Sequence, residues 1–166
     1  MERTMDPKQT IFFLEADQAS SFNLKGIRID QLLPREACVQ FSAFMVYMEP
    51  GQVKKPSFHK IGEELYYVVS GSGQAELGNQ QFRLKPGCFF RVPPNTVHTF
   101  ETQEDSLSIL NFHSPPVFSD HDTYFVEWAV VFSYNLRSSI LSKSRRFLEV
   151  LKKFDLKFLS FYLRQI

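Results

Sequence analysis

All seven glycines of this 166-residue chain fall between Gly26 and Gly87, and the last of its nine prolines is Pro116, so the final fifty residues contain neither. Glycine and proline let or force a chain to reverse within a few residues. Close reversals are therefore confined to the first two-thirds. Between them run short segments rich in Val, Ile, Phe and Tyr, which suit a pleated, half-buried surface. Strands are expected near residues 10–14, 27–33, 39–48, 64–69, 73–77, 80–84, 88–92, 98–101 and 107–112, separated by Gly71-Ser72-Gly73, Gly78-Asn79 and Lys85-Pro86-Gly87. Nine short strands joined by tight turns predict an all-β sandwich or barrel.

The pattern changes after Pro116. Residues 125–134 are β-branched and aromatic and read as one more strand, although periodicity alone does not separate this from a buried helical segment. Farther on, Phe147, Leu151, Phe154, Phe158 and Tyr162 recur at threes and fours, and Lys143, Arg146, Lys153 and Lys157 fall between them. That is an amphipathic helix over about residues 138–165. The predicted organisation is a barrel with its N-terminal strands over residues 1–125 and a strand/helix extension over 126–166. From Arg137 onward eight Lys/Arg face only Glu149 and Asp155, a local net charge of +6, which leaves −5 on everything before it given the total of +1. Such a balance gives no whole-chain argument for nucleic acid. The basic helix could meet an anionic membrane surface, but packing of its apolar face on the barrel is the favoured reading.

Cys38 and Cys88 are too few for a disulfide scaffold and lack C-x-x-C spacing, so both are expected to be reduced. Residues 1–8 carry no apolar run behind a basic start, and no apolar stretch approaches the roughly 18 residues of a membrane span. A cytoplasmic location is the expectation.

Two segments concentrate the chemistry. The first runs from Gly51 through Ser57 and His59 to Glu64 and Gly71; the second runs from Gly87 through Pro93 and Asn95 to His98. In each, a turn residue leads into a strand whose alternate side chains share a face, so two imidazoles and a carboxylate could converge inside a closed sheet. These segments resemble the two motifs of the cupin superfamily, G-x5-H-x-H-x3,4-E-x6-G and G-x5-P-x-G-x2-H-x3-N. Gly51, His59, Glu64 and Gly71 match the first; Gly87, Pro93 and His98 match the second. Ser57 stands at the first histidine, Asn95 at the second motif's inner glycine and Thr102 at its final asparagine. Asn95 can take the left-handed conformation that glycine would have used. The resemblance covers roughly residues 10–125 and implies a double-stranded β-helix, the jelly-roll barrel of RmlC-like proteins.

It further implies one divalent metal ion held by His59, Glu64 and His98, with Ser57 leaving an open or water-filled position. Two histidines and one carboxylate are the donor types of the facial triad of non-haem Fe(II) dioxygenases, but Fe, Mn, Zn or Ni would suit them. Ser57, Tyr66, Arg91, Phe100 and His113 are candidates for the pocket wall; Arg91 is either exposed or an anchor for an acidic substrate. Glu63 is expected to face outward. The resemblance also suggests a homodimer. Two functional readings stay open. One is a metal-dependent enzyme of oxygenase, isomerase or decarboxylase type acting on a small organic substrate; the other is a non-catalytic small-molecule-binding or degenerate cupin that lost metal with its first histidine.

Overall fold

A computed structural model describes residues 11–37, 40–118 and 121–126. Among these, eleven strands form two antiparallel sheets: β1 (Ser20–Leu24), β2 (Ile27–Gln31), β3 (Ser42–Met48), β4 (Ser57–Phe58), β5 (Glu63–Gly71), β6 (Gly73–Leu77), β7 (Gln80–Leu84), β8 (Phe89–Val92), β9 (His98–Glu101), β10 (Leu107–Ser114) and β11 (Tyr124–Phe125). One sheet runs β1-β2-β3-β10-β5-β8, the other β11-β4-β9-β6-β7. The turn spacing implied an all-β sandwich or barrel and the motif resemblance a jelly roll, and the two antiparallel sheets have that arrangement. Of the extension expected over 126–166 only Val126 is among the described residues, so the expected strand at 125–134 beyond Val126 and the expected amphipathic helix lie outside them. No helix among the described residues is long and apolar enough to cross a membrane.

Alternation decides which side chains enter the barrel. Along β10, Leu107, Ile109, Asn111 and His113 are buried while their neighbours are half-buried. Along β5, Glu64, Tyr66 and Val68 point in while Glu63, Leu65 and Tyr67 point out. Because β10 and β5 pair with His113 opposite Glu64 and Ile109 opposite Val68, the interior divides by depth. One end is apolar, with Met48, Val68, Ala75, Leu84, Phe100, Leu107 and Ile109 nearly inaccessible; a fully buried Leu or Ile contributes roughly 2 kcal/mol. Toward the other end the buried set turns polar: Ser42, Ser57, His59, Glu64, His98 and His113.

One expected strand, at 10–14, needs correction, and one strand was not expected. Residues 11–15 are irregular, with Ile11 95% and Phe13 79% exposed, and among the described residues no strand pairs with them. Instead Ser20–Leu24 is the strand, hairpinned to β2 through Lys25 and Gly26, both at positive φ (54° and 93°). Positive φ at both central residues is what a right-handed twisted hairpin demands of a two-residue loop. At Gly71 φ is +80°, and a Cβ there would lie 1.8 Å from the Ser106 carbonyl oxygen; β5 turns into β6 at this point with no room for a side chain.

Candidate metal centre

The centre is built around Glu64. Its Oε1 lies 2.9 Å from His113 Nε2 and 3.3 Å from His59 Nε2, and its Oε2 lies 3.1 Å from His98 Nε2. Each imidazole comes from a different element: His59 from the segment between β4 and β5, His98 from the start of β9, His113 from β10. Ser57 pairs with His98 across β4 and β9, so the serine sits beside the cluster where the resemblance would place a first histidine. All four cluster residues are buried.

Backbone carbonyls fix two of the rings. His59 Nδ1 is 2.6 Å from the Asp122 carbonyl oxygen and His98 Nδ1 is 3.1 Å from that of Thr96. A carbonyl only accepts, so each Nδ1 carries the proton and each Nε2 is turned toward Glu64. The segment bearing His59 is itself pinned. The Asp122 carboxylate accepts from the backbone N–H groups of Lys60, Ile61 and Gly62 at 2.9, 3.1 and 2.9 Å. Asn95, at φ +63° as its place in the second motif requires, donates its N–H to the His59 carbonyl at 2.6 Å. Thr102 also finds a role. Its hydroxyl donates to the Glu49 carbonyl at 2.6 Å and accepts from the Gln52 N–H at 3.0 Å, tying the Gly51 turn to the residue after β9.

Burial favours a neutral Glu64, but the imidazoles of His98, His113 and His59 outweigh it and hold the carboxyl well below its ordinary range. Burial pushes His98 down to about 3 despite Glu64, so this ring is neutral at physiological pH. Burial also works against a charged His59, yet the adjacent Glu64 more than offsets it and raises its pKa. Tyr66 donates its hydroxyl to Glu64 Oε1 at 2.5 Å, and burial followed by the Glu64 charge pushes its pKa well above the usual value, so it keeps its proton.

Burial opposes ionisation of Asp122, but its bonds from Gly62, Lys60 and Ile61 lower its pKa below the ordinary 3.8. A carboxyl depressed in the folded state contributes stability that is present above its unfolded pKa and lost as pH falls through the folded value. Acidification below about pH 4 is therefore expected to loosen the His59 segment, and Asp122→Ala to impose about 1–2 kcal/mol at neutral pH. Urea denaturation at pH 7 and pH 3 checks both: the difference between the two proteins should shrink at the lower pH.

A cation fits this cluster. His98, protonated on Nδ1 and neutral, turns its Nε2 lone pair toward a carboxylate oxygen 3.1 Å away, with the Tyr66 hydroxyl at 3.5 Å as its other neighbour. Two acceptors held face to face in a buried site repel unless a cation lies near both. Consistently, Glu64 Oε2 and His113 Nδ1 are buried without a hydrogen-bond partner, and His113 Nε2, although 2.9 Å from Glu64 Oε1, is not aligned for a hydrogen bond to it. Ligand atoms from His59, Glu64 and His113 lie within 4.8 Å of one another. His98, named with His59 and Glu64 from the sequence, reaches the other carboxylate oxygen, while His113, expected only in the pocket wall, joins the cluster directly. That regrouping depends on the pairing register of β10 with β5, which spacing within a motif does not encode.

Ser57, Tyr66, Phe100 and His113 all line one cavity beside the cluster, together with Phe44, Val46 and Lys54. Arg91 does not. It shares the outward face of β8 with Phe89, is 59% exposed, and pairs with Glu63 through Nε and Oε2 at 2.5 Å, so it is no anchor inside the barrel. Glu63 faces outward as expected. Cys88 is a free, half-buried thiol. Lys54 and Asp122 were not singled out from the sequence; a lysine beside a turn and an aspartate in a loop carry no local signal of an inward role.

Residues 44–112 match the family model described as the cupin domain. Over 70 residues the chain is 37% identical to an uncharacterized protein of Methanocaldococcus jannaschii, a match covering 42% of this chain and 55% of that protein, so the chain spans about half the length of this relative. Among solved structures it is similar to KdgF from a Halomonas species (25% identity, TM-score 0.58, covering 66% of this chain and 98% of that one). It is also similar to the polyketide cyclase RemF from Streptomyces resistomycificus (15% identity, TM-score 0.60, 80% and 95%). A Streptomyces protein solved with uridine gives 23% identity and a TM-score of 0.59, covering 71% and 92%. The family match lies on β3 to β10 and the same fold recurs in these structures, so residues 44–112 match the cupin domain and the barrel has the cupin fold.

Proposed function

We propose that this cupin domain binds a divalent metal ion at Glu64 and acts as a metal-dependent enzyme on a small organic molecule, in an oxygenase, isomerase or decarboxylase type of reaction. The observation that carries the reading is the pair of facing acceptors, His98 Nε2 and Glu64 Oε2, buried at 3.1 Å. Glu64 with His59 and His113 would hold the ion, and His98 borders it from the other carboxylate oxygen. Such an ion supplies Lewis-acid polarisation of a substrate oxygen. The chain's own residues do the rest. Asp122 and Thr96 hold His59 and His98 in one tautomer, Tyr66 keeps its proton on Glu64, and the phenyl rings of Phe44 and Phe100 keep water from the inner wall.

Elemental analysis of the full chain purified without chelator tests the binding. Near-stoichiometric Fe, Mn, Ni or Zn is expected; a chain that takes up none of them, even after incubation with each, removes the enzyme reading and leaves a metal-free binding barrel. His98→Ala and His113→Ala are each expected to lower metal affinity by about 10-fold to 100-fold, read by chelator competition. Unchanged affinity in either variant would exclude that histidine from the centre.

A further inference from the structure

The cavity beside the cluster has an unusual charge for its setting. The chain before Arg137 carries a net −5, yet the cavity wall contains Lys25, Lys54 and Lys55 against a single carboxylate, Glu64, which the metal centre uses. The rest of the wall is largely apolar, including Phe22, Ile29, Phe44, Val46, Phe118 and Phe125.

Lys54 and Lys55 are half-buried where Lys25 is exposed, and Lys54 is firmly placed. Its backbone N–H donates to the Phe100 carbonyl at 2.9 Å, and its own carbonyl accepts the Thr99 hydroxyl at 2.5 Å. From this fixed base the side chain runs inward. Its ammonium donates to the Ser57 hydroxyl at 2.7 Å and lies 5.8 Å from the centre of the Phe100 ring. Among the described residues no carboxylate lies within ion-pair distance of it. Lys54 is half-buried; its ammonium has three donors, one is used on Ser57, and a charge drawn partly out of water without an ion-pair partner is costly. Lys25, exposed over the Phe125 ring at 5.6 Å, adds a second cation at the cavity rim.

We propose that Lys54 is the anion anchor of this cavity, and that the site takes a small carboxylate whose apolar body lies against Phe22, Phe44 and Phe118. Ser57, standing where a first histidine is missing, then serves Lys54: its short hydroxyl leaves room for the ammonium and orients it. Burial lowers the Lys54 pKa to about 8 against the opposing pull of Glu64, which leaves the amine mostly protonated at neutral pH. The proposal deepens the metal-dependent reading and rests on it for the ligand's place beside the centre, but the charge recognition is carried chiefly by Lys54 and not by the metal.

Phenylacetate and its neutral isostere phenylacetamide serve as probes, titrated calorimetrically into the full chain both as purified and after chelation. In the wild type the acid is expected to bind at least about tenfold more tightly than the amide. Lys54→Met keeps the apolar stem and should close that gap to within about twofold, with metal content and melting temperature unchanged; Lys54→Arg should retain most of it. Equal affinity of acid and amide for the wild type, no saturable binding of either into the millimolar range, or a gap that survives in the chelated Lys54→Met protein would each overturn the proposal. The two readings fail separately: a gap in a wild-type chain that takes up no metal supports Lys54 and removes the metal centre, whereas full metal content without a gap does the reverse.

Discussion

Glu64→Ala is expected to empty the metal centre, lowering affinity for divalent ions by more than about 100-fold. Glu64 is the one residue on which His59, His98 and His113 all converge, through both of its oxygens. The loss also rearranges protons. His59 owes its raised pKa chiefly to Glu64, so without the carboxylate burial and the nearby Lys54 charge oppose its protonation against only the hydrogen bond to the Asp122 carbonyl, and its pKa falls. Three imidazoles would remain, two of them locked by Asp122 and Thr96, able to hold a metal weakly without the compensating charge. Tyr66 loses its 2.5 Å acceptor at the same time and keeps only the longer contact to His98 Nε2 at 3.5 Å, a further cost of about 1 kcal/mol. Chelator competition with Zn2+ reads the first effect and urea denaturation of the metal-free proteins the second. Metal affinity within a few-fold of wild type would mean that Glu64 is not a ligand.

A second substitution acts with comparable force on the fold alone. Gly71→Ala is expected to destabilise the barrel by about 3–5 kcal/mol. A Cβ at Gly71 would sit 1.8 Å from the Ser106 carbonyl oxygen and 2.7 Å from its carbon, and both are backbone atoms without slack. Moving them would break the bond from Ser72 N–H to the same carbonyl at 3.1 Å, and with it the junction of β5, β6 and β10. Gly51→Ala provides the control. Its φ of +76° is similar but nothing lies within 4 Å of the added carbon, so only the backbone cost of about 1–2 kcal/mol is expected. Equal effects at the two positions in chemical denaturation would show that close approach to Ser106 does not matter.

Much of this architecture was legible in the residues, and the reasons differ from place to place. Gly51, Gly71, Gly87 and Asn95 are needed for their positive φ, a local property that a sequence displays directly. His59, Glu64 and His98 are nameable because each stands at the place the two cupin motifs give a ligand, which the resemblance implies. Alternation likewise placed Glu63 outside and Glu64 inside. His113 was harder, since its position in the cluster follows from a strand pairing across about fifty residues, His113 opposite Glu64. β1 was missed because Ser20, Ser21 and Asn23 mask the two apolar residues that face the cavity, Phe22 and Leu24. The exposed Ile11 and Phe13 suggested a strand where the chain has no partner. Arg91 could be left only as exposed or anchoring, and the choice fell to Glu63, an outward neighbour on the adjoining strand.

The hydrogen bond from the Asn95 N–H to the His59 carbonyl joins the two ligand-bearing segments through main-chain atoms alone. Nothing in that link depends on an ion. This link would hold the two segments together with or without the proposed metal, unlike small zinc modules whose folding free energy is the binding free energy. Exchange of one ion for another need not involve unfolding, and the occupant in a living cell would follow supply more than shape.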